Sequence, residues 1–325
     1  MKISSRMLFM MIMIMSTLLV SSTESWITMW MGLEINMMMF IPLMFMTKNK
    51  YSTEAMMIYF LTQTMASVIF IVGVMLSFIC LYNSIKYNSL MMISMFIKLG
   101  MPPFHFWFPK IMKMIQWNEC MIMMTWQKLA PLTVLNTLMQ KYMMIMIMVA
   151  IMVGSIGGIN QTSLQKIMAY SSISHMSWIC MFMMNSNQWL TYLMIYSIMV
   201  IMISIVFKQQ SMFYINQINS LMKSNMEKMM LSLMIMSMGG LPPLLGFMPK
   251  WMTIQSMMNS TMIFHLTFMV IMNLITLFYY LRMVSSILLI NSMSMKWNLK
   301  SSNNNMYLMI TVTNVSIPII FYLPI

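Results

Sequence analysis

Two stretches of the sequence share one layout: LGMPPFHFWFPK at residues 99–110 and GGLPPLLGFMPK at residues 239–250. Both fit the pattern G-x-P-P-x5-P-K, and both lie in strongly apolar sequence. A proline inside a helix has no N–H to donate and clashes with the carbonyl four residues earlier, so each proline pair predicts an interrupted helix. The residues at the two predicted breaks are Pro102, Pro103, Pro242 and Pro243.

The composition sets the class of protein in which these breaks occur. The chain has 325 residues, of which 60% are hydrophobic and 7% are charged, whereas soluble domains carry about 25% charged residues. A chain this apolar cannot cover a soluble surface with polar groups. We therefore predict an all-α polytopic membrane protein with no soluble domain of useful size.

Methionine and cysteine can both bind metal ions. The 60 methionines recur in every apolar segment and do not cluster in polar loops, which favours a general apolar filler over a copper site. The cysteines Cys80, Cys120 and Cys180 have no metal-ligand spacing, and we interpret them as small core residues.

The apolar sequence divides into about eleven segments near the length that crosses a bilayer, roughly 20 residues each. The longest polar connection, 208–228, is predicted to include a short surface helix. The predicted spans are 7–22, 26–46, 55–80, 89–108, 120–138, 142–160, 167–184, 188–207, 229–250, 261–284 and 306–323.

The basic residues outside the spans are unequally shared between the two faces of the membrane. The face that includes the N-terminus carries twelve of them, and the other face carries Lys86 and Lys141. This bias predicts that the N-terminus stays on the side of synthesis and that the C-terminus lies on the opposite side. The net charge of +13 is then explained by topology and by anionic lipid, and the sequence has no nucleic-acid-binding motif. The twelve residues are Lys2, Arg6, Lys48, Lys50, Lys110, Lys113, Lys166, Lys208, Lys223, Lys228, Lys296 and Lys300.

The two broken spans, the fourth and the ninth, are five spans apart and so cross the membrane in opposite directions. That arrangement is typical of an inverted repeat, and transporters of this type carry their sites on broken helices near the membrane midplane. We predict one repeat at about 7–138, a second at about 142–284 and a further C-terminal helix at about 306–323. Two chance proline kinks are the alternative, which the shared pattern and the nearby lysines disfavour.

A few ionisable residues remain inside the predicted spans, where each costs at least about 2.5–3.5 kcal/mol to insert. They are Glu34, Lys98, Lys128, Lys250 and Arg282. Arg282 lies near a span end and is interpreted as a structural anchor, as is Lys110.

A proton relay is the chemistry that this set of residues can support. Burial favours the neutral form of a lysine and a nearby carboxylate favours the charged form, so a lysine that gains and loses a carboxylate partner binds and releases a proton. A swing of about two or three pKa units suffices to move a charge against 100 mV. The predicted order is Glu34 with Lys98, then Lys128, then Lys250.

The three histidines are further candidates, because histidine titrates near neutrality. His175 lies among hydroxyl side chains in YSSISHMSW (170–178) and His105 lies in the first broken segment, so both are candidate relay groups. His265 has apolar neighbours and is interpreted as structural. The pair Gly154 and Gly158 is explained by close helix packing.

The sequence has no dinucleotide fingerprint, P-loop, cysteine-rich cluster motif or haem signature. If the chain belongs to a redox enzyme, we expect the electrons to run through partner subunits.

Six motifs follow one another along the chain: WMGLEIN (30–36), STEA (52–55), KLGMPPFHFWFP (98–109), TWQKLAP (125–131), GSIGGINQTSLQKIMAYSSISHMSW (154–178) and GGLPPLLGFMPKW (239–251). In series they resemble one family, the mitochondrially encoded NADH dehydrogenase subunit 2, an antiporter-like subunit of respiratory complex I, and its insect forms in particular. The resemblance covers almost the whole chain. One departure is the proline pair at 102–103, where relatives often have Ala-Pro.

The resemblance implies a proton-translocating subunit in the membrane arm of NADH:ubiquinone oxidoreductase, in the mitochondrial inner membrane with its N-terminus on the matrix side. It implies no cofactor in this chain, with NADH, FMN, iron–sulfur clusters and ubiquinone bound by other subunits. The expected partners are other membrane-arm subunits and lipids, including anionic lipids such as cardiolipin. The same resemblance assigns Glu34, Lys98, Lys128 and Lys250 to proton transfer. Two alternatives remain open: a free-standing cation/proton antiporter and a passive scaffold.

Overall fold

The computed structural model describes residues 3–45, 49–79, 84–138, 143–186, 188–221, 225–258, 262–291 and residue 314. Over these ranges the chain is helical, with no β-strand among the described elements. The fourteen helices found there are α1 (Ile3–Ser22), α2 (Trp26–Met44), α3 (Lys50–Ile79), α4 (Ser84–Leu99), α5 (Trp107–Met114), α6 (Trp117–Met124), α7 (Trp126–Leu138), α8 (Met144–Ile159), α9 (Leu164–Asn185), α10 (Trp189–Gln209), α11 (Ile215–Leu221), α12 (Asn225–Gly239), α13 (Phe247–Met258) and α14 (Ile263–Asn291).

Apolar side chains surround most of these helices, as is typical of helices buried in lipid or protein on every side. Within the described ranges, five helices are long and apolar enough to cross a membrane: α1, α2, α3, α10 and α14. Helix α8 is equally apolar but shorter. The chain is therefore a multi-pass helical protein, as its composition predicts. The predicted C-terminal helix at 306–323 lies outside the described residues, apart from residue 314.

Each G-x-P-P motif lies between the end of one helix and the start of the next. Helix α4 ends at Leu99 and α5 begins at Trp107, and helix α12 ends at Gly239 and α13 begins at Phe247. The first residue after each helix is a glycine with positive φ, Gly100 at 67° and Gly240 at 79°. That backbone conformation is open to glycine at little cost, so the glycine ends the helix and the prolines prevent it from continuing.

The predicted fifth span, 120–138, is also divided. Helix α6 ends at Met124 and α7 begins at Trp126, with Thr125 between them. The Thr125 hydroxyl donates to the Met121 carbonyl at 2.7 Å, a local bond that commonly accompanies a bend in a helix. The predicted surface connection 208–228 includes the short helix α11.

The chain divides into two compact units, residues 1–143 and residues 144–325. In the first unit α1 packs on α2 and α3 packs on α2, α4 and α5. In the second unit α8 packs on α9 and α14, and α12 packs on α14. A Cβ at Gly154 would lie 2.7 Å from the Ser174 backbone nitrogen, and a Cβ at Gly158 would lie 2.8 Å from the Tyr279 ring. The two glycines therefore allow the close packing of α8 that their spacing predicted.

The residues that were interpreted as structural have structural partners. The Arg282 guanidinium on α14 donates to the carbonyls of Ile159 and Gln161, at the end of α8. Cys120 and Cys180 are buried free thiols, while Cys80 lies outside the described residues. Lys110 is about half exposed and forms an ion pair of 3.1 Å with Glu54.

Candidate functional site

The first unit contains a buried lysine paired with a glutamate. Lys98 lies in the last turn of α4, and its Nζ is 3.7 Å from Glu34 Oε1 on α2. The Lys98 side chain is 3% exposed and that of Glu34 is 21% exposed. The negative end of α4 and the carboxylate both stabilise a positive charge at this position. The pairing proposed from the sequence is thus present in this structure.

The helix break beside Lys98 leaves carbonyls without helical partners, and side chains of the same unit satisfy them. Gln63 Nε2 donates to the Lys98 carbonyl at 3.3 Å. Trp107 Nε1 donates to the Ile97 carbonyl at 3.1 Å, and the Gly100 amide donates to the same oxygen at 3.1 Å. Because an unpaired buried carbonyl is costly, these bonds stabilise the end of α4.

Lys128 occupies a contrasting position in the same unit. It lies in the first turn of α7, where the positive end of the helix dipole opposes a cation. The residue is 3% exposed, and its Nζ lies 5.3 Å from the centre of the Phe108 ring. An aromatic face attracts a cation, so Phe108 of the broken segment offsets part of the cost of burying this charge.

Lys98 and Lys128 line the same small cavity. Its polar wall is formed by Asn36, Tyr59, Gln63 and Gln127, with apolar side chains around them. The cavity has about 20 Å³ open to the centre of a water molecule, and one water molecule needs about 10–15 Å³ on this measure. The cavity that both lysines line is therefore large enough for one water molecule, and part of its wall is polar.

The polar wall of this cavity is a hydrogen-bonded network. The Tyr59 hydroxyl donates to Gln127 Oε1 at 3.3 Å, and Gln127 Nε2 donates to Asn36 Oδ1 at 3.2 Å. These bonds join α2, α3 and α7 next to Lys128. A connected polar network of this kind can orient water and a migrating proton.

The second unit holds Lys250 differently. Lys250 is 3% exposed, and its Nζ donates to the Gly239 carbonyl at 3.0 Å and to Asn273 Oδ1 on α14 at 2.5 Å. The Gly239 carbonyl lies four residues before Pro243, which has no N–H to bond it, so the lysine supplies the missing donor at this helix end. A Cβ at Gly240 would lie 2.9 Å from the Lys250 Nζ, which shows how closely the lysine approaches the break.

His175 lies on α9 in the same unit and is 2% exposed. Its Nδ1 shares a hydrogen bond of 3.1 Å with the Tyr192 hydroxyl, and its ring lies 4.9 Å from that of Tyr196. The nearby hydroxyls of Ser171 and Ser174 donate to backbone carbonyls of their own helix. Two tyrosines of α10 thus contact this histidine.

The remaining candidates lie apart from these contacts. His105 is 8% exposed in the first broken segment, with its ring 4.2 Å from that of Phe106 and with no described hydrogen-bond partner at Nδ1. His265 on α14 packs its ring edge-on to Phe264, in agreement with a structural role.

Sequence reasoning missed several polar residues of both units. Asn36, Tyr59, Gln63, Gln127 and Asn273 are uncharged, so they do not stand out in an apolar segment as a charged residue does. Four of the five carry an amide side chain within a predicted span, and that is the signal that would have identified them. Two further buried acids, Glu119 and Glu227, lie in the first turns of α6 and α12, just outside the predicted spans. A carboxylate in a first helical turn is favoured by the helix dipole.

Over the described part of the chain, no group of three or more His, Cys, Asp or Glu side chains is placed to hold a metal ion.

Comparison with known proteins identifies the family. The family model described as NADH:quinone oxidoreductase/Mrp antiporter, TM, matches residues 23–276. NADH-ubiquinone oxidoreductase chain 2 of Anopheles gambiae is 42% identical over 314 residues, which cover 94% of this chain and 92% of that protein.

Solved structures agree on the fold. A chain of respiratory complex I from Thermus thermophilus superposes with a TM-score of 0.83 at 18% identity, covering 98% of this chain and 79% of that one. A chain of the Mrp complex from a Dietzia species superposes with a TM-score of 0.77 at 15% identity, covering 85% and 59%. With the identity and coverage of its sequence relatives, the chain belongs to the family of NADH-ubiquinone oxidoreductase chain 2.

Proposed function

We propose that this chain is a membrane-arm subunit of NADH:ubiquinone oxidoreductase that carries protons across the membrane while other subunits transfer electrons from NADH to ubiquinone. The observation that carries the proposal is the first-unit cavity. Two buried lysines and a bonded Asn–Gln–Tyr network line a space that can hold water. A scaffold gains nothing from such costly groups at membrane depth.

The geometry supports a specific sequence of events in the first unit. While Glu34 and Lys98 are paired, Lys98 keeps its proton. When the pair separates, the buried lysine releases the proton into the cavity, where Gln127 and Asn36 orient water toward Lys128. Lys128 has no favourable helix end to hold the charge, so it is suited to passing the proton on.

Lys250 and His175 extend the path in the second unit, and His105 is a candidate at the first break. We propose that the units correspond to two inverted five-helix repeats, that the complete chain has about eleven spans, and that the N-terminus faces the mitochondrial matrix. The asymmetric placement of lysines and the odd number of predicted spans between the two motifs support this topology.

The proposed role defines the expected partners. Neighbouring membrane-arm subunits supply the energy, and anionic lipids such as cardiolipin contact the basic residues near the matrix face. NADH, FMN, iron–sulfur clusters and ubiquinone bind to other subunits.

A free-standing cation/proton antiporter is the second candidate, because the matching family model also covers Mrp antiporters. The sequence relatives favour the first candidate. Co-purification in an assembly that oxidises NADH supports the proposal, whereas sodium–proton exchange by the isolated chain would support the antiporter.

Replacing Lys128 with Met tests the central step. In the complete complex reconstituted into liposomes, Lys128→Met should lower the number of protons moved per NADH oxidised, while Lys113→Met, at an exposed position, should leave it unchanged. An undiminished ratio in the Lys128 variant would remove the relay through this cavity.

A further inference from the structure

Lys250 makes two hydrogen bonds in this structure, and both acceptors are uncharged. They are the Gly239 carbonyl at 3.0 Å and Asn273 Oδ1 at 2.5 Å. By contrast, the partner of Lys98 is a carboxylate. This difference bears on what each lysine can do when it loses its proton.

A lysine ammonium has three N–H donors, whereas the neutral amine has two. The two bonds of Lys250 are therefore available in either protonation state. An ion pair such as that of Lys98 and Glu34, however, loses its attraction when the lysine is neutral. Lys250 is thus held in one place throughout a proton-transfer cycle, with a third N–H free to exchange.

Asn273 is itself oriented by its own helix. The Thr276 hydroxyl on α14 donates to the Asn273 carbonyl at 2.8 Å and lies 3.2 Å from Asn273 Oδ1. The amide oxygen therefore faces Lys250 from a fixed position on a long helix, and the backbone carbonyl of Gly239 faces it from the end of α12.

We propose that Asn273 is a positioning residue for Lys250, and that its neutral oxygen holds the lysine in both charge states without trapping the proton. This proposal deepens the proposed function and rests on Lys250 being part of the proton path. It assigns to Asn273 a role that a carboxylate at the same position could not fill, because a carboxylate would stabilise the charged lysine.

Two substitutions separate positioning by a neutral acceptor from a merely structural contact. Asn273→Leu keeps the side-chain branching and removes the acceptor. Asn273→Asp keeps an acceptor in the same place and adds a charge. The complete complex is reconstituted into liposomes, and proton uptake is measured per NADH oxidised together with the amount of assembled complex.

We expect both variants to move at least about tenfold fewer protons per NADH oxidised than the wild type, the Leu variant because the bond is lost and the Asp variant because the proton is retained. The Asp variant decides the matter if the Leu variant fails to assemble, since the aspartate preserves the hydrogen bond. Pumping at the wild-type rate in Asn273→Asp would overturn the proposal, because a structural acceptor needs no particular charge.

Lys250→Met, measured alongside, distinguishes this proposal from the proposed function. Full pumping in Lys250→Met would remove Lys250 from the path and the role of Asn273 with it. If pumping is impaired in Lys250→Met but normal in Asn273→Asp, the proposed role of Lys250 in the proton path stands. Only the positioning of Lys250 by a neutral acceptor is then refuted.

Discussion

The two G-x-P-P breaks are built alike but place their lysines differently. Each begins with a glycine of positive φ whose amide bonds to the carbonyl three residues earlier, at 3.1 Å for Gly100 and 3.0 Å for Gly240. In the second break the final motif lysine, Lys250, is buried against the broken helix. Its counterpart in the first break, Lys110, is exposed and paired with Glu54.

At the first break the buried lysine lies before the interruption, in the last turn of α4. Lys98 precedes Gly100 by two residues, and the equivalent position in the second break is Met238. The backbone solution is thus shared, while the charge has a separate position in each unit. The repeated sequence motif therefore marks where a helix ends, while the lysine that is buried beside it has a different position in each unit.

The largest expected difference is between the two lysines at the shared motif position. Lys250→Met should lower proton pumping per NADH by at least about tenfold, the lower end of what a positioned proton-transfer group contributes. Lys110→Met should change it by less than about twofold, because exposed ion pairs contribute about 0–1 kcal/mol. Similar losses in both variants would contradict the distinction drawn from burial.

Of the two lysine–glutamate ion pairs described in the first unit, the longer one should contribute more to stability, because it is the more buried. Glu34→Gln leaves the buried Lys98 without a counter-charge. We expect the complex to lose about 1–2 kcal/mol of stability in thermal unfolding. This is less than the cost of breaking a fully buried ion pair, because Glu34 is partly exposed. Glu54→Gln, which breaks the shorter bridge of 3.1 Å, should cost less than about 1 kcal/mol. A larger effect of the Glu54 variant would reverse this comparison.

Alanine substitutions at the two positive-φ glycines should have different main effects, one on assembly of the complex and the other on proton pumping. Each substitution costs about 1–2 kcal/mol for the backbone conformation. At Gly100 the new Cβ would also lie 2.9 Å from Phe108 Cβ, whereas at Gly240 it would meet the movable end of Lys250. We therefore expect Gly100→Ala to reduce the yield of assembled complex more, and Gly240→Ala to reduce pumping more in the complex that does assemble. Equal effects on both readouts would argue against a role of Gly240 in admitting the lysine.

The smallest effect is expected for the tryptophan that supports the first break. Trp107→Phe removes the bond to the Ile97 carbonyl, but the Gly100 amide still donates to that oxygen, so the loss should be about 1 kcal/mol or less. Trp251→Phe, at a half-exposed position after the second break, serves as the control and should have no measurable effect on thermal stability. A loss of several kcal/mol in Trp107→Phe would mean that the break depends on this one side chain.

The helix breaks and the buried lysines could be predicted from sequence because each violates a strong rule. Prolines do not continue a helix and charges are rare in lipid, so Pro102 and Lys128 stand out among apolar neighbours. The pairing of Glu34 with Lys98 was also expected, since a charge in the membrane needs a partner.

The polar wall could not be predicted in the same way. Asn36 and Gln127 are 91 positions apart in the chain, and neither violates a rule strong enough to mark it. The two residues meet because α2 packs against α7, and the sequence does not show which helices pack together. The same holds for Asn273, whose importance is visible only where its oxygen meets Lys250.

The guanidinium of Arg282 has a consequence for inherited variation in this chain. It bridges two main-chain oxygens, those of Ile159 and Gln161, from a neighbouring long helix. The planar guanidinium points two separate N–H groups at the two oxygens, whereas a lysine would have to direct one ammonium at both from the end of a flexible stem. A missense change to lysine would therefore preserve the charge but hold the two oxygens less firmly, so a substitution that is usually called conservative should lower the stability of the second unit.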